Sequence, residues 1–179
     1  MSNNSQMIDT HQHLWIISER EYSWLKPEYG VIYDDFGPEL IEPQLAPAGV
    51  TGTVMVQSAD TYADTFYMLD VAAKHKFVKG VVGWVDLRDK SVEQRLKYFS
   101  KNSFLKGIRH IVQAESEEFV LQEDFQFGIS QLAKYNLVYD ILVFPNQLKN
   151  VKNFPCENEV WNDIYNSSID AKIAILGSS

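Results

Sequence analysis

Apolar residues in this chain arrive in short, almost unbroken runs, and between the runs they recur at the three-to-four spacing of a helix face. Thr51 to Gln57 (Thr-Gly-Thr-Val-Met-Val-Gln) is such a run, rich in β-branched residues, and Phe77 to Leu87, Leu105 to Val112 and Leu137 to Phe144 read as three further strands. The continuity of the first predicts a strand covered on both faces, as in a parallel sheet, rather than one-sided alternation. An earlier buried strand is predicted to end in the segment Met7-Ile8-Asp9-Thr10-His11-Gln12-His13. The intervening stretches predict helices. One spans Pro38 to Ala48, blurred at its end by Pro43 and Pro47 and closed by Gly49; a second spans Thr61 to Lys76, with Phe66, Leu69, Ala72 and Ala73 on one stripe. A capping box at Ser91-Val-Glu-Gln94 opens a third, which carries Leu96 and Phe99, and a fourth covers about Glu123 to Tyr135.

Five β–α alternations of this kind predict parallel strands joined by right-handed crossovers, in either a (β/α)8 barrel or a doubly wound open sheet. No Gly-rich phosphate loop follows any strand, which removes the usual signature of a nucleotide-binding open sheet. Residues 1–179 read as one domain or part of one. In both architectures ligands bind at the C-terminal ends of the strands, where this sequence places His11, His13, Gln57, Trp84, Asp86, Arg109 and His110.

The two histidines stand one residue apart, and strand alternation sends residues i and i+2 to the same side, roughly 6.5 Å apart at Cα. Both imidazoles are then within reach of one metal ion. Imidazole suits Zn, Fe, Ni and Cu, and a catalytic site needs only about three protein ligands plus an open position. The pair leads into a long loop holding Trp15, Tyr22, Trp24, Tyr29 and Tyr33, and loops of that length are uncommon unless functional. Most of these aromatics are expected to anchor the loop, with Trp15 the best candidate for a wall over a substrate. A guanidinium at a strand end is always charged and grips a carboxylate or carbonyl oxygen with a two-pronged fork, so Arg109 is expected to face the site. His110 then points outward under the helices, Asp86 is either a polar site residue or a cap to its loop, and His75 complements a helix end.

Composition narrows the partners. Sixteen basic against twenty-four acidic residues give a net charge of -8, with no basic run for nucleic acid or an anionic membrane. The single Cys156 has no intrachain partner, the first residues lack the features of a signal peptide, and no stretch of about eighteen apolar residues occurs. These features favour a cytoplasmic protein acting on a small molecule, with neither nucleic acid nor membrane as partner.

Four strand-end motifs carry a resemblance: Ile-Asp-Thr-His-Gln-His-Leu-Trp, Ala-Gly-Val-Thr-Gly-Thr-Val-Met-Val-Gln, Gly-Val-Val-Gly-Trp-Val-Asp-Leu and Phe-Leu-Lys-Gly-Ile-Arg-His. Over residues 7 to 148 the chain resembles the amidohydrolase-2 family, and within it the sugar-lactone and dicarboxylate lactonases. The resemblance implies a (β/α)8 TIM-barrel-type fold of a metal-dependent hydrolase, with His11 and His13 as metal ligands. It also implies substrate contacts from Arg109 and Gln57, to which the strand-end positions add Trp15, Trp84 and Asp86. Zinc is the first choice of ion, although some relatives work without a bound metal. The expected chemistry is hydrolysis of a small cyclic ester by metal-activated water. A decarboxylase of the same superfamily and a catalytically silent small-molecule-binding form are the alternatives.

The pattern is incomplete. Relatives continue with a strand ending in Asp-His, one with Ser-Gly and one carrying Gly-x-Asp-Trp-Pro, none of which follows here. About five to six βα units are present, Lys172 to Ser179 reads as a remnant of a seventh strand, and the missing segment falls near Pro155. Open strand edges predict a homo-oligomer or a distorted closure.

Overall fold

The computed structural model describes residues 7–152, so the expected strand remnant at Lys172 to Ser179 and the break near Pro155 lie outside the described residues. The chain forms two compact units that divide between Trp84 and Val85.

The first unit is a parallel ladder of β1 (Met7–Gln12), β2 (Val50–Val56) and β3 (Val78–Gly83), in that order. β2 and β3 are valine-rich, and Met55, Val56, Val78 and Val81 are all but inaccessible. β1 departs from the expected buried strand: Asp9 and Thr10 are exposed and Ile8 only half-buried, because β1 lies at the edge of this ladder. Between β1 and β2, α1 (Pro38–Leu45) starts with proline at its first turn, where the missing N–H costs nothing. It tolerates Pro43 inside and stops three residues before the expected Ala48, turning at Gly49, whose φ of 74° suits glycine.

α2 (Tyr62–Lys74) is capped by Thr61, whose hydroxyl accepts the Asp64 amide at 3.1 Å. The Asp64 carboxylate turns back and accepts the amides of Ser58 (2.7 Å) and Ala59 (3.2 Å), which fastens the exit of β2 to the start of α2. The helix buries Met68, Leu69, Val71 and Ala72, whereas Phe66 and Ala73, expected on the same stripe, face outward. Thr65 explains the rotation. Its hydroxyl donates to the Trp84 carbonyl and accepts the Trp84 amide, both at 2.8 Å, and this buried polar clamp sets which arc of the helix faces β3.

The second unit pairs β4 (Leu105–Ile111) with β5 (Val138–Leu142) in parallel and unbroken register from Gly107↔Val138 to Ile111↔Leu142. Around them lie α3 (Val92–Phe99), α4 (Glu123–Leu132) and α5 (Leu148–Lys152), with Val92, Leu96, Ile108 and Phe125 fully buried. The capping box expected at Ser91 does not form. Asp89 takes both the amide (2.6 Å) and the hydroxyl (2.7 Å) of Ser91 on one carboxylate oxygen, a stronger acceptor than the helix end offers a donor. α4 lies so close to the loop after β3 that a Cβ on Gly128 would stand 2.0 Å from the Leu87 carbonyl oxygen. Among the described residues no helix is long and apolar enough to cross a membrane.

Candidate functional site

The site begins with an irregularity in β1. Asp9 pairs with Thr53, yet Gln12 pairs with Met55, so three steps along β1 match two along β2 and a β-bulge falls at Thr10 and His11. Asp9 stabilises it by accepting the His11 amide at 3.0 Å. Beyond the bulge the two imidazoles meet: His11 Nε2 and His13 Nε2 are 3.0 Å apart, and the rings stand edge to face with centroids 4.8 Å apart.

The chemistry of this pair follows from its neighbour. His13 Nδ1 lies 2.9 Å from the Val56 carbonyl oxygen, and a carbonyl only accepts, so Nδ1 carries the proton. The lone pair of His13 is thereby placed on Nε2, aimed at His11. Two nitrogens bound at about 2.1 Å to one ion stand roughly 3 Å apart when they are neighbours in its shell, so the pair fits a divalent cation. The backbone carbonyl behind His13 is the kind of outer partner that fixes a ligating imidazole's tautomer. Among the described residues no group of three or more His, Cys, Asp or Glu side chains is placed to hold a metal ion.

Gln57, expected to face the substrate, is fully buried; its backbone amide donates to Val82 and its side-chain amide donates to Asp60 Oδ1 at 2.6 Å. Asp60, which no strand or helix pattern marks, lines a cleft of about 540 Å³ together with Tyr22, Leu25 and Tyr33. A small polar segment, Ser-Ala-Asp-Thr, placed directly after a strand was the signal that could have found it. Ser58 in that segment donates to the Leu14 carbonyl at 2.9 Å and thus joins the ends of β1 and β2 a second time.

Trp15 is tied into its own loop: it pairs with Phe36 through two backbone hydrogen bonds, donates from Nε1 to Ile32 at 3.2 Å, and packs against the rings of Trp24 and Phe36. Trp84 is half-buried against Tyr62, with ring centroids 5.2 Å apart. His75 ends α2 and pairs with Glu42 at 2.9 Å.

In the second unit, Asp86 accepts the Arg88 amide at 3.0 Å, which makes it a cap to its loop. Arg109 on β4 is 3% exposed and stands opposite Asp140 in the β5 register, so carboxylate and guanidinium occupy neighbouring positions on one face. His110 packs flat on Phe119, with centroids 4.9 Å apart, and reaches Glu115 at 3.1 Å. Arg88 bonds Asp124 at 2.8 Å, which holds the Asp124 carboxyl below the usual carboxylate range.

The sequence pattern of the family described as Amidohydrolase matches residues 8–155. An L-fucono-1,5-lactonase of Burkholderia ambifaria is 37% identical over 142 residues, which cover 79% of this chain and 49% of that protein. An L-fucono-1,5-lactonase of Burkholderia multivorans is 32% identical over 149 residues, covering 82% of this chain and 50% of the relative. Among solved structures, an amidohydrolase of Burkholderia multivorans with bound zinc superposes with a TM-score of 0.77 at 31% identity, covering 84% of this chain and 53% of that one. The chain thus spans about half the length of the relatives it matches. The alternating βα units described above are part of the TIM-barrel type of these amidohydrolases.

Proposed function

Because this chain belongs to the amidohydrolase family, we propose that it serves as a metal-assisted hydrolase of small cyclic esters, with a sugar lactone such as L-fucono-1,5-lactone as the substrate class. The observation that carries the reading is the convergence of His11 Nε2 and His13 Nε2, 3.0 Å apart, at the C-terminal end of a barrel-type strand. Both imidazoles would hold the ion, zinc being the choice favoured by nitrogen ligands and by the zinc-bound relative. When bound, such an ion polarises a carbonyl and lowers the pKa of a coordinated water toward about 7.

The protein's own contribution is orientation. The Val56 carbonyl holds His13 in the tautomer whose Nε2 is a lone-pair donor, and the bulge brings His11 alongside it. Arg109, buried and permanently charged, is assigned the role of gripping an oxygen of the substrate, since its planar fork suits a carbonyl or carboxylate better than a point charge would.

The test measures zinc content and lactone ring opening together on the 179-residue chain. Turnover that is lost with a chelator, restored by zinc and abolished in His11→Ala supports the proposal. Chelator-insensitive turnover retained in His11→Ala overturns it.

A further inference from the structure

Resting on that reading and deepening it, we infer that the cleft beside the first two strand ends holds the hydroxylated ring of the sugar lactone, with Asp60 accepting hydrogen bonds from its ring hydroxyls. The cleft measures about 540 Å³, within the ordinary range of roughly 300–1,000 Å³ for small-molecule sites and ample for one six-membered ring. It belongs to the strand ends. Val56, the last residue of β2, bonds His13, and Asp60 follows four positions later; Ser58 between them bonds Leu14, the residue after His13.

The walls suit a sugar. Tyr22, Leu25 and Ala59 form a buried apolar cluster backed by Trp15 and Ile17, which offers the flat, weakly polar surface that the C–H face of a pyranose ring covers. Tyr22 keeps a polar tip: its hydroxyl accepts the Ile16 amide at 3.3 Å and, because burial pushes its pKa up, retains its own proton for donation. Arg20 and Lys26 on the rim are balanced by Glu21 and Asp60, so the lining matches a neutral polar ligand rather than an ion. Arg20 is moreover committed to Glu19 at 2.9 Å and to the Tyr67 ring at 4.3 Å.

Asp60 is the polar group that defines specificity. A carboxylate offers about four acceptor positions, and the 2.6 Å bond from a fully buried Gln57 amide holds Asp60 Oδ1 in place. A preoriented carboxylate accepts from hydroxyls with charge-assisted strength, which neither a carbonyl nor a serine provides. On this account Gln57 is a positioning residue, and its place at the strand end is explained without any contact to substrate.

The experiment uses L-fucose, a neutral hydroxylated ring with no lactone carbonyl, titrated against the full chain and followed by saturation-transfer NMR. Wild type should bind saturably. Asp60→Asn should weaken binding at least tenfold, Tyr33→Ala at the exposed rim about threefold, and His11→Ala should leave it unchanged. Failure of wild type to bind, equal affinity in Asp60→Asn and Tyr33→Ala, or loss of binding in His11→Ala each overturns the inference. Should circular dichroism show Asp60→Asn unfolded, Tyr33→Ala decides in its place. δ-Valerolactone, the bare ring, separates this from the hydrolase reading: its turnover should be lost in His11→Ala while L-fucose binding by that variant persists. L-fucose binding without any lactone turnover would remove the hydrolase reading and leave the cleft assignment standing.

Discussion

His13 aims its Nδ1 at the carbonyl oxygen of Val56 across 2.9 Å, so the backbone of one strand decides which nitrogen of the neighbouring strand's histidine is available to a cation. The metal-free protein should therefore hold His13 as the Nδ1–H tautomer, which long-range 1H–15N spectra distinguish directly. Zinc titration should then perturb the Nε2 resonances of His11 and His13 together, and His13→Ala should lower zinc affinity by about 100-fold. A His13 ring protonated at Nε2 in the metal-free state would remove the structural basis for the pair as ligands.

Arg109→Lys is expected to raise KM for a lactone with several hydroxyls by about tenfold while kcat changes little, because a single ammonium cannot reproduce a fork of two donors. Steady-state kinetics on the two proteins check it. A fall in kcat at constant KM would instead place Arg109 in the chemical step.

Tyr67 carries a linked pH effect. Burial pushes its phenol up to about 12, and its hydroxyl is buried without a hydrogen bond among the described residues. The folded state thus holds a proton that the unfolded chain releases near the ordinary tyrosine value of 10.0. The resulting stability is complete below that pH and is lost as pH rises toward about 12. Denaturant melts of Tyr67→Phe should lack this alkaline decline. At neutral pH the same variant should match wild type or exceed it by up to about 1 kcal/mol, since an unsatisfied buried hydroxyl is removed while the ring under Arg20 remains.

Gly128→Ala should destabilise by about 3 kcal/mol despite alanine's better helix propensity. A methyl group there would press on the Leu87 backbone, and backbone does not yield as a side chain does. Thermal unfolding measures it; an unchanged Tm would mean that α4 slides freely on that loop.

The strands were legible because β2 and β3 are valine-rich, and β4 and β5 carry β-branched or aromatic residues in short segments between loops. The arc of α2 was not, since Phe66, Leu69, Ala72 and Ala73 satisfy helical spacing on their own, and the choice between neighbouring arcs was made by Thr65 bonding Trp84 from another element. Asp89 outcompeted the expected cap at Ser91 for a similar reason: a motif names a possible bond without naming its rivals. The histidine pair was read from its spacing, yet the bulge beside it depends on register against β2, which no local pattern encodes. Asp60 lies in the loop beyond β2, where neither strand alternation nor helix spacing marks a position.

The extra residue in β1 makes this stretch sensitive to count rather than to composition. Thr10 is exposed, so many side chains are tolerable there, but losing its codon would leave two steps against two between Asp9 and Gln12, a regular ladder in which Gln12 still faces Met55. His13 would keep its place beside the Val56 carbonyl while the bulge that brings His11 alongside it would be gone. A single in-frame deletion that changes neither histidine would thus remove the irregularity at which they meet, whereas a saturation library at Thr10 would leave most of its members intact.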